Sequence, residues 1–106
     1  MQLLTEELKK QLPPLYSTEE MQDPQVICRY FLPMTNMEWF VTEFDGKETF
    51  FGYVVGDYLE LGYFSLDELR LARGPFGLEV ERDRFFSPLP LSKMKAEIKG
   101  GHYATL

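Results

Sequence analysis

The 106-residue chain has little of the chemistry on which most enzymes rely, since it contains one cysteine, Cys28, and one histidine, His102. A single cysteine allows no disulfide within the chain, and one thiol with one imidazole does not complete the usual zinc-binding patterns. The histidine lies near the chain end and offers the thiol no activating partner, so Cys28 is expected to be a buried structural residue. The sequence therefore predicts no catalytic residue, no metal site and no cofactor.

Three further absences narrow the class of protein. No apolar run reaches the roughly 18 residues that a membrane-spanning helix needs. The first ten residues mix acids with bases and lack the apolar middle of a signal peptide. The segment Gly74-Pro75-Phe76-Gly77 is not followed by the lysine of a phosphate-binding loop. We therefore expect a cytoplasmic protein that does not bind membranes.

Basic residues are almost missing from the middle of the chain. Residues 37–68 hold eight acids against Lys47 alone, whereas residues 69–106 hold seven bases against four acids, and the whole chain carries a net charge of −6. Such a field repels phosphate backbones, which argues against direct binding of nucleic acid. It would suit a protein partner whose surface is basic.

Aromatic residues and β-favouring segments are abundant, with nine Phe, six Tyr and one Trp. Alternating apolar positions and Asp-Gly or Gly-Asp turns predict four strands. The strands are expected at residues 26–32, 37–45, 49–55 and 58–64, as an antiparallel meander. A two-residue period places Trp39, Val41 and Glu43 on one face of the second strand. Both faces of the central hairpin are apolar, so both are covered or one is open to a partner.

A short helix is expected directly after the fourth strand. Ser65 followed by Glu68 forms a capping box, in which each side chain accepts the backbone N–H of the other residue. Gly74 is expected to end this helix in the left-handed conformation, with Pro75 preventing its continuation. A helix this short must be held by the sheet on which it packs.

Two more helices are expected near the chain ends. Thr5 can cap one that runs to Leu12, where two prolines stop it. Ser92 can cap another that runs to Lys99, and residues 100–106 are expected to be a loose tail. The predicted fold is therefore a single α+β domain over residues 1–106, with a four-stranded antiparallel sheet and three helices.

Several segments carry a family resemblance. They are ELGYFSL at 60–66, RGPFGL at 73–78, ERD at 81–83, LLTEEL at 3–8, LPPLY at 12–16, Trp39, Thr42-Glu43 and FFG at 50–52. With these segments the chain resembles the bacterial domain-of-unknown-function family 2958 over roughly residues 3 to 90. The resemblance implies a bacterial protein, often associated with plasmids or phages, and it implies no activity.

Charged residues after the second helix suggest one candidate site. Arg73 or Arg82 could pair with Glu81 or Asp83, which would tie this segment to the helix. The same guanidinium groups could instead form a pocket for an anion or for a partner's carboxylate. Sequence alone does not decide between an ion-pair network and a binding site.

Acidic and aromatic residues of the predicted strands suggest a second candidate site. Glu43, Glu60 and Asp83 could act as the paired carboxylates of a small hydrolase, although this requires two of them to face each other across a cleft. Trp39 and Tyr63, with Tyr53, could form an aromatic patch beside the acids, as a recognition surface or as ordinary cross-strand packing. The interpretation we favour is a non-enzymatic module that binds a protein partner, as a monomer or a homodimer.

Overall fold

The computed structural model describes residues 2–99. Its helices are α1 (Glu6–Gln11), α2 (Leu66–Leu71) and α3 (Leu91–Lys99), with a 3-10 turn at Pro75–Gly77. Its strands are β1 (Gln25–Val26), β2 (Cys28–Phe31), β3 (Glu38–Phe44), β4 (Thr49–Val55), β5 (Leu59–Ser65), β6 (Glu81–Arg82) and β7 (Leu89–Pro90). The α+β class is confirmed. No helix among these residues is long and apolar enough to cross a membrane.

The main sheet has five strands where four were predicted. Its order is β5-β4-β3-β2-β6, and every pairing is antiparallel. The antiparallel meander of β2 to β5 is as expected, but the first predicted strand, 26–32, is divided into β1 and β2. In addition, β6 adds a fifth strand beside β2 after the chain has passed through α2. Only two residues of β6 pair with β2, and so short a ladder leaves no alternating pattern in the sequence. A separate two-stranded ladder joins β1 to β7.

A bulge in β3 changes which side chains share a face. The pairing with β4 runs regularly to Val41, skips Thr42 and resumes at Glu43. The extra residue reverses the alternation beyond it. The prediction that Trp39, Val41 and Glu43 share a face is therefore wrong for Glu43. We call the side that bears Trp39 and Val41 the front face, and the side that bears Glu43 the back face.

Each face of the sheet has its own core. On the front face, α1 and α2 cover the larger cluster, which includes the stacked rings of Phe44, Phe50 and Phe64. On the back face, α3 covers a smaller cluster around Phe40 with Leu91, Met94 and Ile98. Cys28 lies in the front cluster, as predicted, and burial raises the pKa of its thiol to about 12. Both cores are therefore formed by this chain's own helices.

The predicted helix starts are correct at two of three helices. Thr5 and Ser65 accept the backbone N–H groups of Leu8 and Glu68, at 3.1 and 3.0 Å. Ser92 was predicted to cap α3, but it lies within the first turn and donates both its N–H and its hydroxyl to Asp23. The carboxylate of Asp23 is 69 residues away in sequence, so local spacing could not reveal it.

The end of α2 also differs from the prediction. The helix stops at Leu71, and Ala72 is already extended, with φ −64° and ψ 139°. Gly74 has φ −99° and is not left-handed. A Cβ at this position would lie 3.2 Å from the carbonyl oxygen of Pro33, so Gly74 allows close backbone approach and does not cap the helix. The predicted loose tail, residues 100–106, lies outside the described residues.

Candidate functional site

A buried ion-pair network connects β2 with β3 and with the segment that follows β6. Arg29 is 2% exposed and donates from Nε to Glu38 and from Nη1 to Asp83, both at 3.1 Å. Its guanidinium also lies 4.8 Å from the ring centre of Phe31. Arg73 or Arg82 was predicted to pair with Glu81 or Asp83, and the structure shows that Arg29 also contacts Asp83. The network ties the segment after β6 to the middle of the sheet.

Glu38 makes this network energetically demanding. Its Oε2 accepts from Arg29, while its buried Oε1 has no hydrogen-bond partner among the described residues. Burial raises the pKa of the Glu38 carboxyl above its usual range, and the neighbouring Arg29 acts in the opposite direction. Removal of either partner would leave the other group buried and poorly compensated.

Glu43 serves a structural purpose that its burial explains. The side chain is 2% exposed, and Oε1 accepts the N–H of Tyr16 at 2.8 Å. Oε2 accepts both the N–H at 2.9 Å and the hydroxyl of Thr18. The carboxylate thereby fixes the turns that follow α1 against the back face of the sheet. Its lone pairs are used within the fold, which leaves it poorly suited to act on a substrate.

The carboxylates proposed for hydrolysis do not face one another. Glu60 pairs with Val54 on the front face, whereas Glu43 pairs with Phe51 on the back face. Asp83 is committed to Arg29 at the opposite side of the sheet. Among the described residues, no group of three or more His, Cys, Asp or Glu side chains could hold a metal ion.

Arg73 and Arg82 lie in different surroundings. Arg73 donates to the carbonyl oxygens of Arg70 and Ala72 at 2.7 and 2.9 Å, and it lies 4.0 Å from Glu79. Arg73 therefore supplies hydrogen-bond donors to backbone carbonyl groups at the end of α2. Arg82, in β6, donates to the carbonyl oxygen of Gln2 at 3.3 Å.

Different grooves hold the charged residues of this region. Arg82 lines a small groove of about 140 Å³ beside α1, and Arg73 is not among its lining residues. Glu81 lines a different groove, of about 730 Å³, together with Arg70 and Glu79. The structure therefore does not bring the two predicted arginines into one anion pocket.

An acidic groove of about 540 Å³ lies on the front face, between α2 and β5. Its lining residues are Met37, Trp39, Val54, Glu60, Leu61, Gly62, Tyr63, Phe64, Glu68 and Ala72. Glu60 and Glu68 are exposed, and Trp39 is 8% exposed. A Cβ placed on Gly62 would meet no atom within 4 Å, so the middle of the groove is open. Here the structure joins an aromatic ring to two solvent-facing carboxylates.

The side chain of Tyr63 lies on the other side of β5, beside the half-buried ring of Phe51 and the exposed ring of Tyr16. Its ring centre is 4.9 Å from that of Phe51 and 6.4 Å from that of Tyr16. The side chains of Trp39 and Tyr63 lie on opposite faces of the sheet, although both residues line the acidic groove. Partial desolvation, followed by the interaction with the Tyr16 hydroxyl, raises the pKa of Tyr63. The two faces of β5 therefore offer different chemistry: acidic in front, aromatic and apolar behind.

Comparison with known proteins now gives the family. A family model described as protein of unknown function (DUF2958) matches residues 3–100, which is nearly the whole chain. The chain belongs to this family. No curated protein and no solved structure matches it. Membership of DUF2958 confirms the resemblance, while the association of DUF2958 proteins with plasmids or phages stays a prediction.

The sequence of this DUF2958 protein predicted some residues of the acidic groove, but it did not predict the buried ion-pair network. Trp39 and Glu60 were singled out, but Glu68 was seen only as a capping residue. Arg29 and Glu38 were not considered as a pair. A signal existed, because opposite charges on facing strands joined by a hairpin can meet across the ladder.

Proposed function

We propose that this chain is a non-enzymatic module that binds a basic surface of a partner protein through the acidic groove. The observation that carries this proposal is the placement of Glu60 and Glu68 beside the ring of Trp39 in an open concavity. The charge of a lysine or arginine side chain could meet the two carboxylates, while its methylene groups pack against the part of Trp39 that reaches the groove.

The charges around the groove support the same partner chemistry. The segment from residue 37 to residue 68 has one base, Lys47. Lys47 lies in the turn between β3 and β4 and does not line the groove. Exposed acids at a binding site accelerate association with a basic partner and make it sensitive to salt.

The two alternatives have less support. A pocket for an anion around Arg73 and Arg82 would need the two guanidinium groups to converge, and they contact different carbonyl oxygens at separate elements. Hydrolysis by Glu43, Glu60 or Asp83 would need two of the carboxylates in one cleft, and each has a different environment. A cytoplasmic location also remains part of the proposal.

The double variant Glu60→Gln/Glu68→Gln tests the proposal. Tagged wild-type protein and the variant would be used to recover partners from a bacterial lysate, with quantification at low and high salt. We expect the variant to recover about tenfold less of the basic proteins that bind the wild type at low salt. The reason is that each exposed ion pair contributes up to about 1 kcal/mol to binding.

Glu7→Gln/Glu20→Gln is the matched control, because it removes the same charge from two exposed residues outside the groove. It should recover the same partners as the wild type. Equal recovery on all three proteins, or recovery of no partner at either salt, would contradict the proposed function.

A further inference from the structure

β5 is a long strand at one end of the main sheet, and its outer edge has no neighbouring strand among residues 2–99. All seven of its residues pair with β4 in unbroken register. The opposite edge of the sheet is the two-residue strand β6. A regular, exposed edge of this length presents a row of backbone N–H and C=O groups to which another strand can add.

The side chains of β5 do little to block such pairing. Natural edge strands are protected by charges, prolines or bulges, but Glu60 is the only charged residue of β5, and its ladder contains no bulge. On the back face, Leu59, Leu61 and Tyr63 are 44%, 47% and 54% exposed. The strand therefore combines an open edge with an exposed apolar row.

We propose that β5 binds an extended segment of its partner by strand addition, and that this segment alternates basic with apolar residues. The inference rests on the proposed function and specifies how the partner is held. Basic side chains would point to the front, towards the acidic groove, while apolar side chains would point to the back, beside Leu59, Leu61 and Tyr63.

The spacing of the front face fits two successive basic residues. One would lie opposite Glu60 and pair with its carboxylate directly. The next would lie opposite Gly62, where the absent side chain leaves room for a basic group to enter the groove lined by Glu68 and by the exposed part of Trp39. Two residues that are two positions apart on an added strand would therefore meet Glu60 and the open space at Gly62 in turn.

Charge argues for a basic partner over a second copy of this chain. Pairing of two β5 edges would bring together two chains that each carry a net charge of −6. It would also place the acidic groove of one copy next to that of the other, where like charges oppose association. A basic segment removes this repulsion.

Three synthetic seven-residue peptides test the inference. The first peptide alternates lysine with valine, and the second has the same composition with the lysines in one block. The third alternates like the first but carries N-methyl groups on three successive residues, which prevents either of its backbone edges from pairing with a strand. Binding would be followed by the fluorescence of Trp39, the chain's single tryptophan. We expect the alternating peptide to bind at least about tenfold more tightly than the other two, because only it combines the pattern with free amides.

Gly62→Lys and Leu71→Lys supply a matched pair of variants, which make the same change in charge. Leu71 is exposed on α2 and does not line the groove. We expect Gly62→Lys to abolish binding of the alternating peptide and Leu71→Lys to weaken it less than about threefold.

Other results would separate the two levels of the proposal. Equal affinity for all three peptides, lost in Glu60→Gln/Glu68→Gln, would overturn strand addition and leave the groove as a binding site for basic groups. Failure of all three peptides to bind would also overturn strand addition. If poly-lysine then failed to bind at low salt, the proposed function would fall as well.

Discussion

Replacement of Arg29 by methionine should lower the free energy of unfolding by about 3–5 kcal/mol at pH 7, as measured by urea denaturation. The substitution keeps most of the side-chain volume but leaves the Glu38 carboxylate buried without its cation, which is the costly way to break a buried ion pair. Arg84→Met, at an exposed arginine, is the control and should change stability by less than about 0.5 kcal/mol.

A second substitution and a change of pH identify the cause. Arg29→Met/Glu38→Leu should recover much of the loss, since it removes the two fully buried charges and leaves only Asp83, whose side chain is 20% exposed, without Arg29. In the single variant the folded-state pKa of Glu38 lies further above its unfolded value. Glu38 therefore opposes folding by an amount that grows as pH rises from its unfolded-state pKa to its folded-state pKa and is constant above it, so the deficit shrinks as pH falls through that range. A pH-independent loss, or a loss under about 1 kcal/mol, would show that the network contributes little.

Replacement of Gly52 by alanine should destabilise the protein by about 3 kcal/mol or prevent folding. A Cβ at Gly52 would lie 1.9 Å from the carbonyl oxygen of Phe40. That atom belongs to the backbone of β3, next to the bulge at Thr42, so no side-chain rotation can relieve the clash. Thermal denaturation monitored by circular dichroism would measure the change.

Gly62→Ala is the matched control, because Gly62 pairs directly with Gly52 across the β4–β5 ladder. Its Cβ would meet no atom within 4 Å. We expect a change of less than about 0.5 kcal/mol. Similar stabilities for the two variants would mean that β3 and β4 are not packed as closely as described.

Local signals predicted most of the secondary structure. Thr5 and Ser65 start their helices because each hydroxyl accepts an N–H three residues ahead. The Asp45-Gly46 turn was also readable. Asp45 accepts three backbone N–H groups, which lower the pKa of its carboxyl, and Gly46 has the left-handed φ of 88° that the turn needs. Each of these interactions joins residues close in sequence.

Features that depend on distant residues were missed. The bulge at Thr42 lies inside a run that alternates plausibly without it, and it moves Glu43 to the back face. The strand β6 is too short to be recognised before its neighbour is known. The ion pair between Arg29 and Asp83 spans 54 residues. In each case the deciding partner comes from another part of the chain.

The acidic segment shows how structure refines a charge count. Of its eight acids, Glu38 is committed to Arg29, Glu43 to the turn at Tyr16 and Asp45 to its own turn. The prediction from sequence counted all eight acids as part of one negative surface. Glu60 and Glu68 remain exposed in the groove that Trp39 also lines. The negative charge that this groove offers a partner is therefore smaller than the charge of the whole segment, but it is concentrated at one site.

The most direct test of the acidic groove and the β5 edge is mapping of amide chemical shifts on the isotope-labelled chain during titration with the alternating lysine–valine peptide. We predict that the largest changes fall on residues 59–65, on Glu68 and Ala72, and on the indole N–H of Trp39. Largest changes at the groove lined by Arg70, Glu79 and Glu81, with the Trp39 indole unmoved, would contradict the account.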